Sequence, residues 1–593
     1  MAASRDRTTA APQATCRVLV EGSARGPLLH ADTGLSFWGG INPATGEVID
    51  RHHPLSGACV TDAILAIPNG RGSCTGSSVM LELLLNGKAP AGLVLAEPDE
   101  ILVLGVVVTS LMFGRSIPVL CVGAAEFHAL GQMTDACIAD GALLVTSPAG
   151  ATRRLPAGQM HHATDAPSAL PALSAHDRDM LDGRFGPAAA GAMKIVLAMA
   201  TLQGAERLID ISQAHIDGCI YTGPASLRFA RQLVAWGARV RVRVPTTLNA
   251  ISVDQRRWRS FGIAPSFGEP AVALAEAYEQ MGAKGSFTCA PYLLDSAPGP
   301  GEQIVWAESN AVVFANSVLG ARTLKYPDYL DICVALTGRA PFVGSHRAEG
   351  RHACVHIDVD VPADIDDSFF PVLGYLVGLL SGTEIPAITG LACLSPDHDA
   401  LKAFSAAFAT TSAAPMFHAV GVTPEAPTLQ AALGHRAARR QCTAGITDLR
   451  RAWMELDSAT QTAVQLVSIG NPHASLGELR RLAALCRDGT RADGTAMIVT
   501  TGRDVYAQAH EKGYIQTIEA FGATMVTDTC WCMIGEPLVP PQAHTLMTNS
   551  GKYAHYAPGL VGRHVRFGSL AACVQAARTA HAAKTLPRWL AQV

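Results

Sequence analysis

Cys-X-X-Cys spacing is absent from this chain of 593 residues, although the chain contains fifteen cysteines. Without such pairs a structural zinc protein is disfavoured. Scattered thiols in a long apolar chain favour a reducing compartment, so a cytoplasmic protein with reduced thiols is expected. Charged residues are also scarce, at 16%, and the net charge is −4. We therefore expect no nucleic-acid partner.

Long hydrophobic runs are missing as well. The longest, Ile101–Phe113 and Phe369–Leu380, are too short to cross a membrane and favour buried strands or helices. The first fifteen residues have no apolar core segment, which predicts a disordered leader rather than a secretory signal. The sequence therefore predicts no membrane partner.

What the chain does have is apolar content of 49% and 55 glycines. This composition is typical of a large, well-buried α/β enzyme acting on a small molecule. The length exceeds that of one hydrophobic core, so two to four domains are expected. We expect a monomer.

Residues 16–150 read as short strands and turns, which predicts a compact β-rich domain. Its predicted strands are Cys16–Val20, Cys59–Ile67, Gly92–Ala96, Ile101–Val108, Val119–Cys121 and Ala142–Val145, with a helix at Ser78–Asn86. Proline, alanine and glycine between Ser147 and His176 then indicate a linker, taken as residues 151–178.

From residue 179 to 593 helices and strands alternate, which predicts βαβ units in stacked α/β layers. Predicted helices are Ala188–Leu202, Ala225–Trp236, Ala271–Met281, Leu401–Phe408 and Leu476–Cys486. Predicted strands are Arg207–Ile211, Ala238–Val244, Ala419–Val422, Ala463–Ile469 and Ala496–Thr500.

A cysteine at a turn is the first chemical signal. Cys289 lies within Ser286–Tyr292, and Glu308 and Ser309 follow where an apolar helix begins. A soft thiolate with oxygen ligands nearby suits an iron centre that activates a hydroxylated substrate. A buried cysteine that acts as a small hydrophobe is the alternative.

The loop Pro68–Ser78 carries Arg71 and Ser73 ahead of an apolar helix. It could be an N-capping turn that uses Ser77 or Ser78. Alternatively, Ser73 is a base whose alkoxide is stabilised by loop N–H groups and Arg71.

Several functional side chains follow predicted strands in the larger part. His215, Asp217 and Cys219 lie in the connection Ala214–Gly223, and Asn249 lies in Pro245–Ala250. Carboxyl ends of strands are where open α/β sheets bind ligands, although a turn with a satisfied histidine is the alternative.

Three segments near the C-terminus extend this pattern. Asn471-Pro472-His473 ends a predicted strand, and Cys530 follows Asp528-Thr529 in the hydroxyl-then-thiol order seen at Cys289. Lys552 could place its ammonium against a substrate carboxylate. Taken singly, each segment could equally be structural.

Together these motifs resemble the aconitase X family in its fused bacterial form, over nearly all of residues 16–593. The segments that carry the resemblance are Gly39–Gly46, His53-Pro54, Gly70–Ser78, Ala214–Tyr221, Pro245–Asp254, Ser286–Tyr292, Trp306–Arg322, Gly421–Ala426, Gly470–His473, Asp528–Cys530 and Ser550–Tyr556. The resemblance implies a β-rich swivelling domain and an aconitase-like multi-layer α/β body.

The family resemblance also implies roles for particular residues. It makes Ser73 the base and Cys289 and Cys530 ligands of an iron–sulfur cluster. It implies substrate contacts at positions matching Gly218, Cys219, Ile220, Asn249, Ala250, Glu308, Ser309 and Lys552, to which the loop reasoning adds Arg71.

One position departs from the pattern of the archaeal members, which carry a cluster cysteine in Gly-Cys-Pro-His. Here the segment is Gly470-Asn471-Pro472-His473. A 2Fe-2S cluster is therefore favoured over 4Fe-4S, with Cys219 as the candidate third thiolate.

The expected activity is that of a hydro-lyase removing water from cis-3-hydroxy-L-proline to give Δ1-pyrroline-2-carboxylate. Dehydration of another small hydroxy acid, such as mevalonate 5-phosphate, is the alternative. A non-catalytic iron-responsive regulator is a third hypothesis, disfavoured because a complete set of candidate catalytic residues is present.

Overall fold

The computed structural model describes residues 16–50, 53–70, 74–158, 171–239 and 244–591. These residues divide between two compact units, which comprise Met1–Arg71 with Leu83–Pro167, and Gly72–Glu82 with Ser168–Val593. The expected leader, residues 1–15, lies outside the described residues, as do Arg71 and Ser73.

The first unit contains a mixed sheet of eight strands in the order β1-β5-β4-β3-β2-β6-β7-β8. The elements of this part of the chain are, in order, β1 (Cys16–Val20), β2 (Ala24–His30), β3 (Ile64–Ile67), α1 (Gly76–Asn86), β4 (Gly92–Leu95), α2 (Glu100–Phe113), β5 (Val119–Val122), α3 (Ala124–Ala129), β6 (Asp135–Ala139), β7 (Ala142–Thr146) and β8 (Thr152–Leu155). Strands β2 to β5 pair in parallel, and the flanking pairs are antiparallel. The unit boundary falls within α1, after Glu82.

The prediction of a strand at Ile101–Val108 is wrong, because α2 covers that segment. The run is apolar on every side, so periodicity could not separate a buried helix from a strand. The residues that cap its two ends identify the segment as a helix. The Asp99 side chain accepts a hydrogen bond from the Leu102 amide, and Gly114 closes the helix in the left-handed conformation at φ 66°.

Two other predicted segments fall partly outside the described residues. The segment expected to be a linker holds the edge strand β8 and the start of a helix at Ala175, and residues 159–170 lie outside the described residues. The predicted strand Ala238–Val244 falls largely on residues 240–243, which are also outside them.

The second unit begins with α4 (Ala175–Leu181), α5 (Pro187–Leu202), β9 (Leu208–Asp210), β10 (Ala214–Ile216), α6 (Pro224–Ala235), β11 (Thr246–Leu248), α7 (Pro265–Gln280), β12 (Val305–Trp306), α8 (Ser309–Phe314), α9 (Leu330–Thr337) and β13 (Arg339–Pro341). Strands β11, β10 and β12 form a parallel sheet in that order, and β13 pairs antiparallel to β9.

A second parallel sheet, ordered β16-β15-β14-β17, follows. This region comprises β14 (Val355–Val359), α10 (Phe369–Ser381), β15 (Pro386–Thr389), α11 (His398–Thr411), β16 (His418–Ala419), α12 (Leu429–Ala432), β17 (Arg440–Ala444) and α13 (Ile446–Leu456).

The last sheet, ordered β20-β19-β18-β21-β22, is also parallel throughout. Its region comprises β18 (Leu466–Ile469), α14 (Leu476–Cys486), β19 (Ala496–Thr500), α15 (Arg503–Glu511), α16 (Tyr514–Ala520), β20 (Thr524–Val526), β21 (Thr545–Thr548), α17 (Gly551–Val561), β22 (His564–Phe567), α18 (Leu570–Thr579) and α19 (Arg588–Ala591). These sheets confirm the predicted α/β class. Among the described helices, none has both the length and the apolar character needed to cross a bilayer.

Candidate active site

Three polar side chains meet where neighbouring parallel strands end. Asp217 follows β10, Asn249 follows β11 and Glu308 comes shortly after β12. Because the three strands run parallel, their carboxyl ends share one edge of the sheet. The Asn249 amide donates hydrogen bonds to the Asp217 carboxylate and, over 3.1 Å, to Glu308 Oε2. One buried amide therefore ties the three strand ends together.

Lys552, at the start of α17, reaches the same group. Its Nζ lies 2.7 Å from Glu308 Oε1, and both side chains are nearly buried. Burial opposes charge on each partner, but the opposite charge outweighs it. The pKa of Glu308 is therefore lowered and that of Lys552 raised well above its usual value. Lys552, predicted to hold a substrate carboxylate, is paired with Glu308 here.

Asp328 and Asp331 add two more buried carboxylates, which sequence reasoning missed. Asp331 Oδ2 accepts hydrogen bonds from the amides of Asp217, at 2.7 Å, and Gly218, at 3.3 Å. Ser78 Oγ donates to Asp328 Oδ2 over 2.8 Å. The available signal was two acids within Asp328–Val334, an otherwise apolar stretch. Such residues are rarely buried without a specific role.

The pKa values of these carboxyl groups reflect their crowding. Burial, with a smaller contribution from Asp331, raises the pKa of Asp328 to about 7. Burial also raises the pKa of Asp331 to about 6 and that of Asp217 well above its usual value, with Asp328 and Glu308 contributing at Asp217. Perturbed pKa values cluster at functional sites, so this group of carboxyl side chains is a candidate one.

Three cysteines gather next to this acidic group. Cys289 and Cys530 pack against Ala250, and Cys532 packs against the same cluster. Cys530 lies within hydrogen-bonding reach of the other two thiols, and its interaction with Cys289 is the main cause of its raised pKa. Cys532 was missed by sequence reasoning, although Cys530-Trp531-Cys532 places two thiols one residue apart. The structure thus brings Cys289 and Cys530 together and adds a third thiol.

Cys219 does not join these three thiols. Its Sγ faces the carbonyl oxygens of Ile216, at 3.4 Å, and Asn249, at 3.5 Å. Burial is the main reason that its pKa is raised well above the usual value. Its role as the third ligand stays a prediction, with Cys532 as a rival that the structure introduces.

His473 holds the two cysteine-bearing loops together. Its Nε2 donates to the Thr529 carbonyl over 2.8 Å, so Nδ1 accepts from the Thr288 hydroxyl at 3.2 Å. Its backbone amide donates to Cys289 Sγ over 3.3 Å. Burial lowers the pKa of His473 to about 4, which keeps the ring neutral near pH 7.

Arg503 makes a second connection between the same loops. Its guanidinium pairs with both carboxylate oxygens of Asp528 and lies 4.5 Å from the centre of the Phe287 ring. Phe287, at φ 40°, and Asp528, at φ 69°, each precede a cysteine by two residues in the left-handed conformation. Each loop therefore has a left-handed residue two positions before its cysteine, and Arg503 contacts both of these residues.

The remaining predicted residues are also accounted for. Gly218 donates its amide to Asp331 and accepts from the Tyr278 hydroxyl at 3.1 Å. Ile220 lies in the same connection and is buried, whereas Ser309 opens helix α8. Arg71 and Ser73 lie outside the described residues. Cys74, the residue after Ser73, accepts a hydrogen bond at its carbonyl from the Asp328 amide.

The candidate metal donors that the structure describes do not form a site for a single ion. Among the described residues, no three or more His, Cys, Asp or Glu side chains are arranged to hold a single metal ion. An iron–sulfur cluster makes a different demand, since its thiolates bind separate irons around a larger group. Three neighbouring thiols, with amide donors and Lys552 within electrostatic range, fit that group in chemical type.

Family models match nearly the whole chain. They are the aconitase X swivel domain at residues 13–146, the first domain at 171–349, the second domain at 353–454 and the third domain at 464–579. The chain belongs to the aconitase X family. The resemblance carried by its motifs is thereby confirmed.

Curated relatives lie at two levels of similarity. The chain is 60% identical to cis-3-hydroxy-L-proline dehydratase of Pseudomonas aeruginosa, covering 97% of this chain and 98% of that one. It is 54% identical to the protein of the same name from Hypocrea jecorina, covering 94% of each. Phosphomevalonate dehydratase large subunit of Methanothermobacter thermautotrophicus is 36% identical, covering 66% of this chain and 94% of that subunit.

A solved structure matches a similar share of the chain. Aconitase X of Thermococcus kodakaraensis in its holo-form is 31% identical with a TM-score of 0.62, covering 68% of this chain and all of that one. This match confirms the aconitase-like α/β body.

Proposed function

We propose that this aconitase X protein dehydrates cis-3-hydroxy-L-proline to Δ1-pyrroline-2-carboxylate. The observation that carries the proposal is 60% identity, over nearly the full length of both chains, to a dehydratase of that substrate. The phosphomevalonate dehydratases are more distant and match as separate large and small subunits. This difference supports the hydroxyproline substrate over mevalonate 5-phosphate.

The reaction removes the Cα proton and the 3-hydroxyl group from neighbouring carbons. We assign proton removal to Ser73, with Arg71 stabilising its alkoxide. Support comes from Cys74, whose pKa is raised first by burial and also by the charges of Asp217 and Asp328, so residue 74 lies within electrostatic range of the acidic group. The enamine product then tautomerises to the cyclic imine.

Cys289 and Cys530 would hold the iron–sulfur cluster, and we favour a 2Fe-2S type. Sequence reasoning names Cys219 as the third thiolate, whereas proximity favours Cys532. When bound, the cluster supplies a Lewis acid that makes the 3-hydroxyl a better leaving group. The chain itself supplies N–H donors to the sulfur atoms, from Asn471 to Cys532 and from His473 to Cys289.

The substrate carboxylate gains charge density as the Cα proton leaves, so it needs positive partners. Lys552 and Ser309, together with amides at the start of α8, are our candidates. Glu308 holds the Lys552 ammonium at 2.7 Å and so fixes its position before substrate arrives. We further propose that the protein works as a cytoplasmic monomer.

An assay of anaerobically purified protein on a substrate panel tests the function. The panel contains cis-3-hydroxy-L-proline, its trans-3 and trans-4 isomers, and mevalonate 5-phosphate. Cyclic imine should form from the cis-3 isomer with the highest kcat/KM. If the protein instead turns over mevalonate 5-phosphate and not cis-3-hydroxy-L-proline, the proposed substrate is wrong and the alternative is correct.

A further inference from the structure

We propose that a cavity apart from the candidate active site binds a small oxyanion, a phosphate or a carboxylate, through the side chains of Arg322 and His352. The cavity lies within the second unit and has a volume of about 140 Å³. It is lined by Arg322, Arg351, His352, His418 and Glu425 together with three alanines. A space of this size holds more than a single water molecule, so it has room for a small anion.

Arg322 is held at the amino end of strand β12. Its amide donates to the Glu302 carbonyl over 2.8 Å, and its carbonyl accepts from the Ile304 amide at 3.0 Å, just before the strand begins at Val305. Glu308 of the candidate active site follows the carboxyl end of the same strand. The cavity is therefore separate from the site at which dehydration is proposed.

The guanidinium of Arg322 has no carboxylate within 4 Å in the part of the chain that the structure describes. It donates a long hydrogen bond from Nη1 to the His346 carbonyl at 3.4 Å, and its Nε is buried without a partner. Buried donors of native proteins are nearly always satisfied, and those on a charged group are the most costly to leave unpaired. Arg322 therefore has donors and a positive charge available for a ligand.

Arg351 brings a second guanidinium whose charge is already matched. It is buried, its Nε donates to the Glu425 carboxylate over 2.8 Å, and its Nη atoms donate to Asn316 and to the Ser345 carbonyl. Burial lowers the pKa of Arg351, Glu425 opposes this change, and the charge of Arg322 adds to it. The two guanidiniums are thus close enough to repel each other, and a single carboxylate lies between them and the solvent balance of the cavity.

His352 supplies a further donor. The Arg436 guanidinium can donate but not accept, and it lies 2.9 Å from His352 Nδ1. Nδ1 therefore accepts, and the proton of the neutral ring is on Nε2. This N–H has no hydrogen-bond partner among the described residues. His418 adds no charge near neutral pH, because burial lowers its pKa and its Nε2 donates to the Arg351 carbonyl at 2.7 Å.

The charges that border the cavity do not cancel. Arg347 is paired with Glu349 at 3.7 Å, as Arg351 is paired with its own carboxylate. Neither Arg322 nor Arg436 has such a partner among the residues that the structure describes. The planar fork of a guanidinium matches the oxygen atoms of a phosphate or a carboxylate. A small oxyanion is therefore the ligand that these donors and this charge fit.

Isothermal titration of the holoenzyme with sodium phosphate and, separately, with sodium acetate tests the proposal at constant pH and ionic strength. At least one of the two anions should bind saturably, and the tighter one identifies a phosphate or a carboxylate as the natural group. If neither anion binds at concentrations up to about 10 mM, the proposal is overturned without any variant.

Arg322→Gln should weaken this binding at least about tenfold, because it removes the unpaired charge and its donors. Arg347→Gln is the matched control, since it removes the same charge from a guanidinium that already has a carboxylate, and its affinity should stay within about threefold of the wild type. Unchanged binding in Arg322→Gln would place the anion elsewhere and overturn the proposal. An equal loss in both variants would assign the binding to net charge and contradict a direct contact.

His352→Asn gives an independent test, since it keeps an acceptor for Arg436 but removes the Nε2–H. It should weaken the binding at least about threefold, and unchanged binding would contradict the part assigned to His352.

The proposal does not depend on the proposed function. Arg322→Gln should turn over cis-3-hydroxy-L-proline within about threefold of the wild type. Turnover lost together with anion binding would place Arg322 in the active site and contradict a separate site.

Discussion

The side-chain amide of Asn471 donates a hydrogen bond to Cys532 Sγ over 3.5 Å. Asn471 is the residue at which this chain departs from the Gly-Cys-Pro-His pattern, so an amide here faces a thiol that sequence reasoning did not consider. Hydrogen bonds to sulfur stabilise the more negative, reduced state of an iron–sulfur cluster.

Asn471→Ala should therefore lower the midpoint potential of the cluster while leaving the iron content near that of the wild type. Asn471→Gln, which keeps an amide, serves as the control and should lie closer to the wild type. Spectroelectrochemical titration measures the potential. An unchanged potential in Asn471→Ala would show that the amide does not act on the cluster.

Cys532→Ala should lose most of the visible absorption and bound iron, as should Cys289→Ala and Cys530→Ala, because a missing thiolate leaves an iron without its protein ligand. Cys219→Ala should keep its iron, since its thiol faces two backbone carbonyls. Iron and sulfide analysis after anaerobic purification decides whether Cys532 or Cys219 is the third ligand. Retained iron in Cys532→Ala with lost iron in Cys219→Ala would restore Cys219 as the third ligand.

Arg503→Leu should destabilise the protein by about 3 kcal/mol, since it leaves the Asp528 carboxylate buried without its cation. Iron retention should fall with it, because Arg503 contacts both cysteine-bearing loops. Arg503→Lys, which restores the charge but not the two-point pairing, should recover part of each property. Thermal unfolding and iron analysis measure the two effects. If Arg503→Leu is destabilised but keeps its full iron content, Arg503 stabilises the fold and has no effect on iron retention.

Ser73→Ala should reduce kcat by about 10²–10⁴-fold with little change in KM, because it removes proton abstraction but no binding group. Exchange of the substrate Cα hydrogen with deuterated solvent should disappear as well. Iron content should be unaffected. Should the variant keep more than about a tenth of wild-type turnover, a change of under about 1.4 kcal/mol, the base is another residue, with His215 and Asp217 next to test.

Asp328→Asn should stabilise the protein at pH 8 and have less effect near pH 5. The pKa of Asp328 rises from 3.8 to about 7 on folding, so the folded state holds a proton that the unfolded state has released. Wild-type stability attributable to this group is complete below pH 4 and is lost as the pH rises through 7. The amide cannot ionise, so the variant should gain about 2–4 °C in Tm at pH 8. An equal gain at both pH values would contradict the raised pKa.

Much of the site was predictable because strand ends carry it. Asp217 and Asn249 were named from segments that follow predicted strands, and Glu308 from the start of an apolar helix. Parallel pairing of the strands before them then brings the three together. The same argument could not have predicted Asp328. It lies ahead of helix α9 rather than at a strand end, and its interest comes from neighbours distant in the sequence.

Other misses have physical causes of the same kind. Helix α2 was taken for a strand because an apolar run that is buried on all sides has no informative periodicity. The pairing of Lys552 with Glu308 joins residues 244 positions apart, and no local pattern predicts such a partner. Local propensity gave most elements of the α/β body, whereas their contacts depend on tertiary structure.

Because the thiols are far apart in the sequence, the ribosome makes them at different times. Cys289 leaves the ribosome 241 residues ahead of Cys530. At about 5–20 residues per second this interval is roughly 12–48 s. During it Cys289 has neither of its neighbouring thiols, and the His473 amide follows Cys289 only after 184 residues. Assembly of the three-thiol group must therefore wait until Cys532 has been made, so the insertion of a cluster held by these thiols would be a late step in maturation.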